Sequence, residues 1–320
     1  MTKEFFVSDQ ITQKIQKFDS IIFDCDGVLV DIRNSYDTAI NRTISAIMKE
    51  LFNDDVQDIV TPKIHFAIKA VGGFNDEVAV VYAIIMTLVA SKKSDIDFEK
   101  LIIDVINNAN ESGINSIDNY FETKNIDLSE IKLKLDYENS RKDSFIHKTF
   151  NQLFYGASLY EEIFNEKSRF NQQPLIELDQ IILDETLMAK LKGKFEKKIT
   201  TVTGRGNFAF SYSMKNFLSD FDLQNSVFLE DRPLEMAKPN PESLIESITA
   251  INAKCSLYVG DSMEDLLMVE KCKDLGYDVS FCGIYGSSDE SDSKFELFQK
   301  NNASIIIESI QELPKALNLV

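Results

Sequence analysis

The stretch Ser20-Ile21-Ile22-Phe23-Asp24-Cys25-Asp26-Gly27 passes from an apolar run directly into an acidic turn. A short apolar run that ends in such a turn is typical of a buried strand. The same pattern returns in the second half of the chain, with helical patterns between the apolar runs. The later runs are 198–202, 226–229, 255–259, 279–281 and 304–307. Strands that alternate with helices predict an α/β fold with a doubly wound parallel sheet.

Residues 32–179 follow a different pattern, because apolar residues recur at helical spacing and strand-like runs are scarce. We interpret this segment as a helical domain inserted after the first strand. Its most apolar run, Val78 to Ala90, is shorter than the roughly 20 residues that span a bilayer, so we predict a buried helix. The predicted domains are therefore a core, formed by 1–31 and 180–320, and the inserted helical domain, 32–179. A length of 320 residues agrees with two domains.

The chain is strongly acidic, with 52 Asp and Glu residues against 34 Lys and Arg residues and a formal net charge of -18. A surface that binds nucleic-acid phosphates or anionic lipid needs the opposite sign. We therefore expect neither nucleic acid nor a membrane as a partner. If the protein handles an anionic substrate, basic side chains, backbone N–H groups or a metal ion must offset this charge.

The cysteines are sparse and show no C-x-x-C pairing, which makes a zinc site improbable. They are Cys25, Cys255, Cys272 and Cys282. Scattered cysteines in apolar stretches are typical of reduced thiols rather than of a disulfide framework. The first residues carry charges throughout, unlike a signal peptide. We therefore expect a cytoplasmic location.

Polar side chains of a consistent chemical kind lie at or near the ends of the predicted strands. They are Asp24 with Asp26, Thr203, Lys238, and Asp261 with Asp265. Each of these is common by chance on a surface turn or an exposed helix. Because the carboxyl ends of parallel strands meet at one edge of a sheet, where α/β folds bind ligands, we expect these side chains to lie close together.

These motifs and their order resemble those of the haloacid dehalogenase superfamily, the aspartate-nucleophile phosphatases. The four motifs stand at Asp24 to Asp31, at Thr203, at Lys238 to Glu242 and at Gly260 to Asp265. The resemblance covers about residues 20–31 and 187–317. The insertion after the first motif is where subfamily I members, including phosphoglycolate phosphatase-like enzymes, keep a helical cap. This insertion is larger than the compact cap of those relatives, which puts their substrates in doubt for this chain.

The resemblance implies a Mg²⁺-dependent phosphatase that hydrolyses a small soluble phosphomonoester. Asp24 would attack phosphorus and form an aspartyl phosphate, while Asp26 would exchange a proton with the leaving oxygen and with water. Asp26 is expected to have a raised pKa in the resting enzyme for this purpose. Thr203, the backbone N–H of Gly204 and the Lys238 ammonium would bind the transferred phosphoryl group.

The resemblance also implies the metal ligands. Mg²⁺ takes oxygen ligands and usually keeps several waters. Its protein ligands would be the Asp24 carboxylate, the backbone carbonyl of Asp26, and Asp261, with Asp265 bound either directly or through water.

Paired glycines, Gly72 and Gly73, interrupt the helical pattern of the inserted domain. They predict either a loop that faces the substrate or a plain turn between two helices, and the sequence favours neither.

Two other functions remain open, and a third is disfavoured. A phosphomutase acting on a sugar phosphate would share every core residue, and a non-catalytic, phosphate-sensing protein would share the fold. A phospho-accepting module of the response-regulator type is disfavoured, because its acceptor aspartate lies on a middle strand and its domain has no insertion. The expected partner is a small phosphorylated metabolite, and the sequence leaves the oligomeric state open.

Overall fold

A computed structural model describes residues 5–74, 76–138 and 143–319. The chain divides into two compact units: a core unit, Met1–Arg33 with Asp179–Val320, and a helical unit, Asn34–Leu178. These boundaries lie within two residues of those expected from the sequence. The predicted domains also include residues 1–4, 75, 139–142 and 320, which lie outside the described residues.

The described residues form nine strands and fourteen α-helices. The strands are β1 Phe6–Val7, β2 Ser20–Phe23, β3 Val30–Asp31, β4 Gln180–Ile181, β5 Ile199–Thr203, β6 Val227–Phe228, β7 Ser256–Gly260, β8 Val279–Ile284 and β9 Ile305–Ile307. The helices are α1 Asp9–Thr12, α2 Arg33–Phe52, α3 Pro62–Lys69, α4 Glu77–Ser94, α5 Phe98–Asn108, α6 Ile114–Thr123, α7 Ser129–Leu135, α8 Phe145–Phe164, α9 Glu185–Phe195, α10 Asn207–Ser213, α11 Glu242–Ala250, α12 Met263–Asp274, α13 Ser291–Lys300 and α14 Leu313–Ala316. Short 3₁₀ helices occupy several of the connections.

The core unit is built on a seven-stranded sheet in the order β1-β9-β8-β7-β2-β5-β6. Its pairs are parallel except for β1, which runs antiparallel to β9. The strand β2 lies in the middle, with β7 on one side and β5 on the other. All four of its residues are buried, as the continuous apolar run predicts for a strand covered on both faces. The predicted α/β fold with a parallel sheet is confirmed.

Neighbouring residues of a strand point to opposite faces of the sheet, and helices pack against both faces. Ile21 and Phe23 of β2 pack in one apolar cluster with Leu191 of α9. Ile22, between them, packs in the other cluster with Leu244 of α11. The core unit therefore has three layers, with helices on each side of the sheet.

A separate two-stranded sheet marks the points where the chain leaves and re-enters the core unit. Val30 of β3 pairs with Ile181 of β4, and Asp31 pairs with Gln180, in antiparallel register. A strand of two residues is too short to show an alternating pattern of apolar and polar residues in the sequence, so this pairing is visible only in the structure. It holds the two ends of the insertion side by side.

The helical unit contains α3 to α8 and all of α2 beyond Arg33. Every residue from Val78 to Ala90 in α4 is buried, which confirms the predicted buried helix. A helix that is apolar on all sides is typical of the interior of a helical domain. Among the described residues, no helix is both long enough and apolar enough to cross a membrane.

Candidate active site

The sheet brings the motif residues to one edge. Phe23, the last residue of β2, pairs with Thr201 of β5 and with Val259 of β7. Asp24 and Asp261 therefore leave adjacent parallel strands at the same edge, as expected from the strand pattern. The backbone N–H of Asp24 donates to the Val259 carbonyl at 2.8 Å, which extends the pairing one residue past β2.

Asp24, Lys238 and Asp265 form a buried charged array. The Lys238 ammonium lies 3.0 Å from Asp24 Oδ1 and 2.7 Å from Asp265 Oδ1. Asp24 is 5% exposed, Lys238 is 4% exposed and Asp265 is fully buried. One buried ammonium therefore neutralises part of the charge of two buried carboxylates, which would otherwise be costly to hold in the interior.

Burial and the neighbouring charges change the pKa values of Asp24 and Lys238 in this array. It raises the pKa of Asp24 to about 7, because desolvation outweighs the opposing attraction of Lys238. The neighbouring carboxylates Asp265, Asp261 and Asp26 add to the rise. Desolvation lowers the pKa of Lys238, but Asp24 and Asp265 outweigh it and raise that pKa above its ordinary value. Lys238 therefore stays cationic, and Asp24 needs positive charge nearby to stay ionised.

The carboxylate of Asp265 already has many protein partners. Its Oδ2 accepts hydrogen bonds from the backbone N–H groups of Asp261 and Ser262 and from the Ser262 hydroxyl, at 2.9 to 3.1 Å. Its Oδ1 contacts Lys238 and accepts a hydrogen bond from the Tyr258 hydroxyl at 2.9 Å. With both oxygens engaged, Asp265 is arranged to hold Lys238 and the β7–α12 turn rather than to bind a metal directly.

Asp261 is half-buried and has two partners that the sequence did not reveal. Its Oδ2 lies 2.7 Å from the Lys294 ammonium of α13 and accepts a hydrogen bond from the Ser287 hydroxyl at 3.1 Å. Gly27 lies against the same oxygen, because a Cβ at this position would come within 2.2 Å of Asp261 Oδ2. Gly27 also has a φ of +71°, so the turn after Asp26 needs glycine for both conformation and space.

Three carboxylates are close enough to share a cation. One oxygen each from Asp24, Asp261 and Asp265 lies within 4.8 Å of the others. Among the described residues, the hydrogen bonds and ion pairs of Asp24 use Oδ1 and those of Asp261 use Oδ2, so one oxygen of each remains for a ligand. Carboxylate oxygens suit a hard cation such as Mg²⁺. The donor set therefore fits the expected metal through Asp24 and Asp261.

Asp26 contacts Arg205, which lies in the loop after β5. Arg205 Nε donates to Asp26 Oδ1 at 2.7 Å, and Arg205 Nη2 lies 2.6 Å from the same oxygen. An ion pair of this kind favours the ionised carboxylate. These contacts with Arg205 orient the Asp26 carboxyl group, and the raised pKa expected of Asp26 stays a prediction.

Thr203 ends β5 and is fully buried. Its hydroxyl oxygen accepts a hydrogen bond from the Arg205 backbone N–H at 3.2 Å. The carbonyl of Gly204 accepts from the Glu230 N–H at 3.1 Å, and the Glu230 carboxylate accepts from the Gly206 N–H at 2.9 Å. These bonds fix the loop that follows β5, which is the loop expected to bind a phosphoryl group.

Gly72 and Gly73 lie in the helical unit, in the turn after α3. A Cβ on Gly73 would come within 2.7 Å of the Asn110 carbonyl oxygen and of the Gly113 nitrogen. Gly73 therefore permits close packing of two loops inside this unit. That contact supports a structural role for Gly73, and a contact of either glycine with substrate stays a prediction.

The architecture is shared with solved structures. Phosphatase Tt82 from Thermococcus thioreducens is 23% identical, with a TM-score of 0.56 over 84% of this chain and 94% of that one. A Bacteroides fragilis protein named as haloacid dehalogenase-like is 16% identical, with a TM-score of 0.50 over 92% of this chain and 99% of that one. A hydrolase from Pseudomonas syringae is 14% identical, with a TM-score of 0.50 over 94% and 98%.

No protein-family model and no curated protein matches the chain. At identities below 25%, the structural likeness establishes the fold. The chain therefore has the fold of the haloacid dehalogenase-like hydrolases, as the four motifs led us to expect.

Proposed function

We propose that this protein is a Mg²⁺-dependent phosphatase that hydrolyses a small phosphomonoester through an aspartyl phosphate. The observation that carries the proposal is the buried array of Asp24, Lys238 and Asp265 beside Asp261. It combines a nucleophilic carboxylate, a fixed cation and an oxygen ligand set at the ligand-binding edge of the sheet.

In the first half of the reaction, Asp24 attacks phosphorus. A bond forms between a carboxylate oxygen and phosphorus, the ester P–O bond breaks, and the leaving oxygen takes a proton from Asp26. In the second half, water attacks the aspartyl phosphate, gives its proton to Asp26 and releases inorganic phosphate. Proton transfers balance over the two steps, and Asp24 is regenerated.

Lys238 lies where it can neutralise the transferring phosphoryl group. Its ammonium is fully buried, so its charge acts in a medium of low polarity and is stronger than in water. Asp265 holds it in place by the 2.7 Å contact. The Thr203 hydroxyl and the N–H of Gly204, at the end of β5, would hydrogen-bond the phosphoryl oxygens.

Asp24, Asp261 and the backbone carbonyl of Asp26 would hold the cation, with Asp265 acting through water or through Lys238. When bound, Mg²⁺ supplies positive charge that offsets the phosphate and favours the ionised form of Asp24.

The proposed substrate is a small phosphorylated metabolite, in agreement with the acidic composition, which disfavours nucleic acid. A cytoplasmic location belongs to the same proposal and is supported by four cysteines that are free and buried.

The test is release of inorganic phosphate from a panel of phosphomonoesters and an aryl phosphate, with Mg²⁺ and with chelator. We expect metal-dependent release by the parent and a loss of about 10⁴-fold or more in Asp24→Asn, since the amide is not a nucleophile. The matched control is Asp274→Asn, an exposed carboxylate at the end of α12, which should keep the parental rate.

Chelator-resistant release, or substantial turnover by Asp24→Asn, would contradict the mechanism. Absence of release from every ester would contradict the function, and binding of phosphate without turnover would then favour a phosphate-sensing protein.

A further inference from the structure

Arg205 is an unusual residue for a loop, because its side chain is fully buried. Beyond its two contacts with Asp26 Oδ1, its Nη2 lies 2.9 Å from Asp179 Oδ2 and its Nη1 donates to the Ser213 hydroxyl at 2.6 Å. Ser213 also donates to Asp179 Oδ2 at 3.3 Å. Asp179 is itself nearly buried, with 4% of its side chain exposed. The guanidinium is therefore held on one side by Asp179 and Ser213 and presents its other side to Asp26.

Three separate segments of the core unit supply these contacts. Arg205 follows β5 by two residues, Ser213 ends α10, and Asp179 directly precedes β4, which pairs with β3. A planar guanidinium with several fixed donors sets the orientation of its acceptor, whereas a single ammonium does not. Asp26 lies in a turn, and the backbone N–H of the next residue, Gly27, donates a hydrogen bond to the Val30 carbonyl. This hydrogen bond also fixes the backbone at Asp26. Arg205 thus orients the Asp26 carboxyl group.

We propose that Arg205 is a positioning residue for the second half-reaction. It holds Asp26 as an oriented carboxylate, ready to take a proton from the water that attacks the aspartyl phosphate. This inference rests on the phosphatase function proposed above. The ion pair in the structure corresponds to the form of Asp26 that remains after its proton has gone to the leaving oxygen, which is the form the second step requires.

The consequence is a selective kinetic defect. An aryl phosphate has a good leaving group, so formation of the aspartyl phosphate depends little on proton donation. Its hydrolysis depends on the base. A general base contributes about 10²- to 10⁴-fold, so Arg205→Met is expected to slow breakdown of the phosphoenzyme by about 10²-fold. The rate at which the phosphoenzyme forms should change by less than about threefold.

The experiment is rapid-quench kinetics with 4-nitrophenyl phosphate and Mg²⁺. We expect Arg205→Met to release a burst of nitrophenol close to the enzyme concentration, followed by slow turnover, and to accumulate acid-stable phosphoprotein. Asp26→Asn serves as the reference, and the double variant should turn over no more slowly than Asp26→Asn alone, because both changes remove the same function. Arg232→Met is the control, since Arg232 forms an exposed ion pair with Glu246 and should behave as the parent.

Arg205→Met removes the positive charge beside the buried Asp179, which lowers stability. A second variant therefore separates a loss of folding from a loss of positioning. Arg205→Lys keeps the positive charge but lacks the planar guanidinium that contacts Asp26 and Asp179 at the same time. It should unfold near the parental temperature and still show a burst with slowed turnover.

Equal slowing of burst and turnover in Arg205→Lys, or additive losses in the double variant, would overturn the positioning role while leaving the phosphatase function intact. A parent that releases no phosphate would overturn both.

Discussion

The sheet edge of the core unit and the helix α4 of the helical unit bury opposite kinds of side chain. The core unit buries charge at its sheet edge, where Asp24, Lys238, Asp265 and Arg205 are all nearly inaccessible. The helical unit buries a continuous apolar helix, α4. Buried charge lowers stability unless it is closely paired, so it is retained where it serves another purpose. The difference indicates that the charged sheet edge is retained for a purpose other than stability, whereas the residues of α4 serve packing.

The largest effect is expected from removal of Lys238, the buried cation at the sheet edge. Lys238→Met leaves Asp24 and Asp265 as adjacent carboxylates without their shared ammonium. We expect phosphate release to fall by about 10³-fold, the upper end of the cost of losing one charge-stabilising donor. Removal of one partner of a buried pair also costs about 3–5 kcal/mol of stability, which thermal unfolding should register.

Lys192→Met is the control for that variant, because Lys192 is half exposed and pairs with Asp220 at the surface. It should change neither quantity. Near-parental turnover in Lys238→Met would contradict the interpretation of the sheet edge as a catalytic centre.

The corresponding change in the helical unit is Ile84→Ala, in the middle of α4, where the side chain is fully buried. Truncation of a buried isoleucine leaves a cavity, and we expect a loss of about 3 kcal/mol in the free energy of unfolding. Urea denaturation followed by circular dichroism measures it. Leu133→Ala is the matched control, because Leu133 of α7 is 79% exposed and should change stability by less than about 0.5 kcal/mol. Similar losses in both variants would argue against a tightly packed α4.

A smaller, pH-dependent effect is expected in the helical unit, which also holds a cluster of charged residues around His65. His65 lies 3.0 Å from Asp37 Oδ1 and 3.1 Å from Glu77 Oε2, and Glu77 also binds Lys69 at 2.8 Å. Burial lowers the pKa of His65, but its bonds to Asp37 and Glu77 outweigh burial and raise it to about 9. The ordinary pKa of histidine in an unfolded chain is about 6.5.

Because the folded pKa is raised, the stabilisation is complete below about pH 6.5 and is lost as the pH rises through about 9. We expect the parent to lose about 2 kcal/mol of unfolding free energy across this range, measured by urea denaturation at several pH values. His65→Gln should show a flatter profile, and Lys134→Gln, at an exposed pair with Glu130, should keep the parental one. Parallel profiles for the parent and His65→Gln would exclude His65 as the source.

The parts of the site that strand ends supply could be predicted from the sequence. Asp24, Thr203 and Asp261 stand directly at the ends of strands, and parallel strands bring their carboxyl ends together whatever the intervening chain contains. Lys238 and Asp265 were also expected near this edge, although neither directly follows a strand, and the family resemblance supplied their roles.

The partners that orient these residues could not be predicted. Lys294 lies on α13 and Tyr258 lies inside β7. Their contacts with Asp261 and Asp265 depend on where α13 packs and on which face of the sheet Tyr258 occupies. Arg205 and Asp179 are 26 positions apart, and no local pattern links them. The length of a strand was predicted less well than its position: the predicted run 226–229 contributes only Val227–Phe228 to the sheet, and Leu229–Asp231 form a 3₁₀ helix.

The position of β2 has a consequence for how the protein is made. This strand is translated early, yet its pairing partners Thr201 and Val259 come from β5 and β7, after the whole insertion. The ribosome must add the 175 residues from Asp24 to Lys198 first, which takes roughly 9 to 35 s at usual rates. Throughout that interval, in which the helical unit is synthesised, the apolar strand that precedes Asp24 has neither neighbour. The strand at the centre of the sheet is thus among the first to be synthesised and must wait for its partners, which makes it the segment of the nascent chain most in need of protection from aggregation.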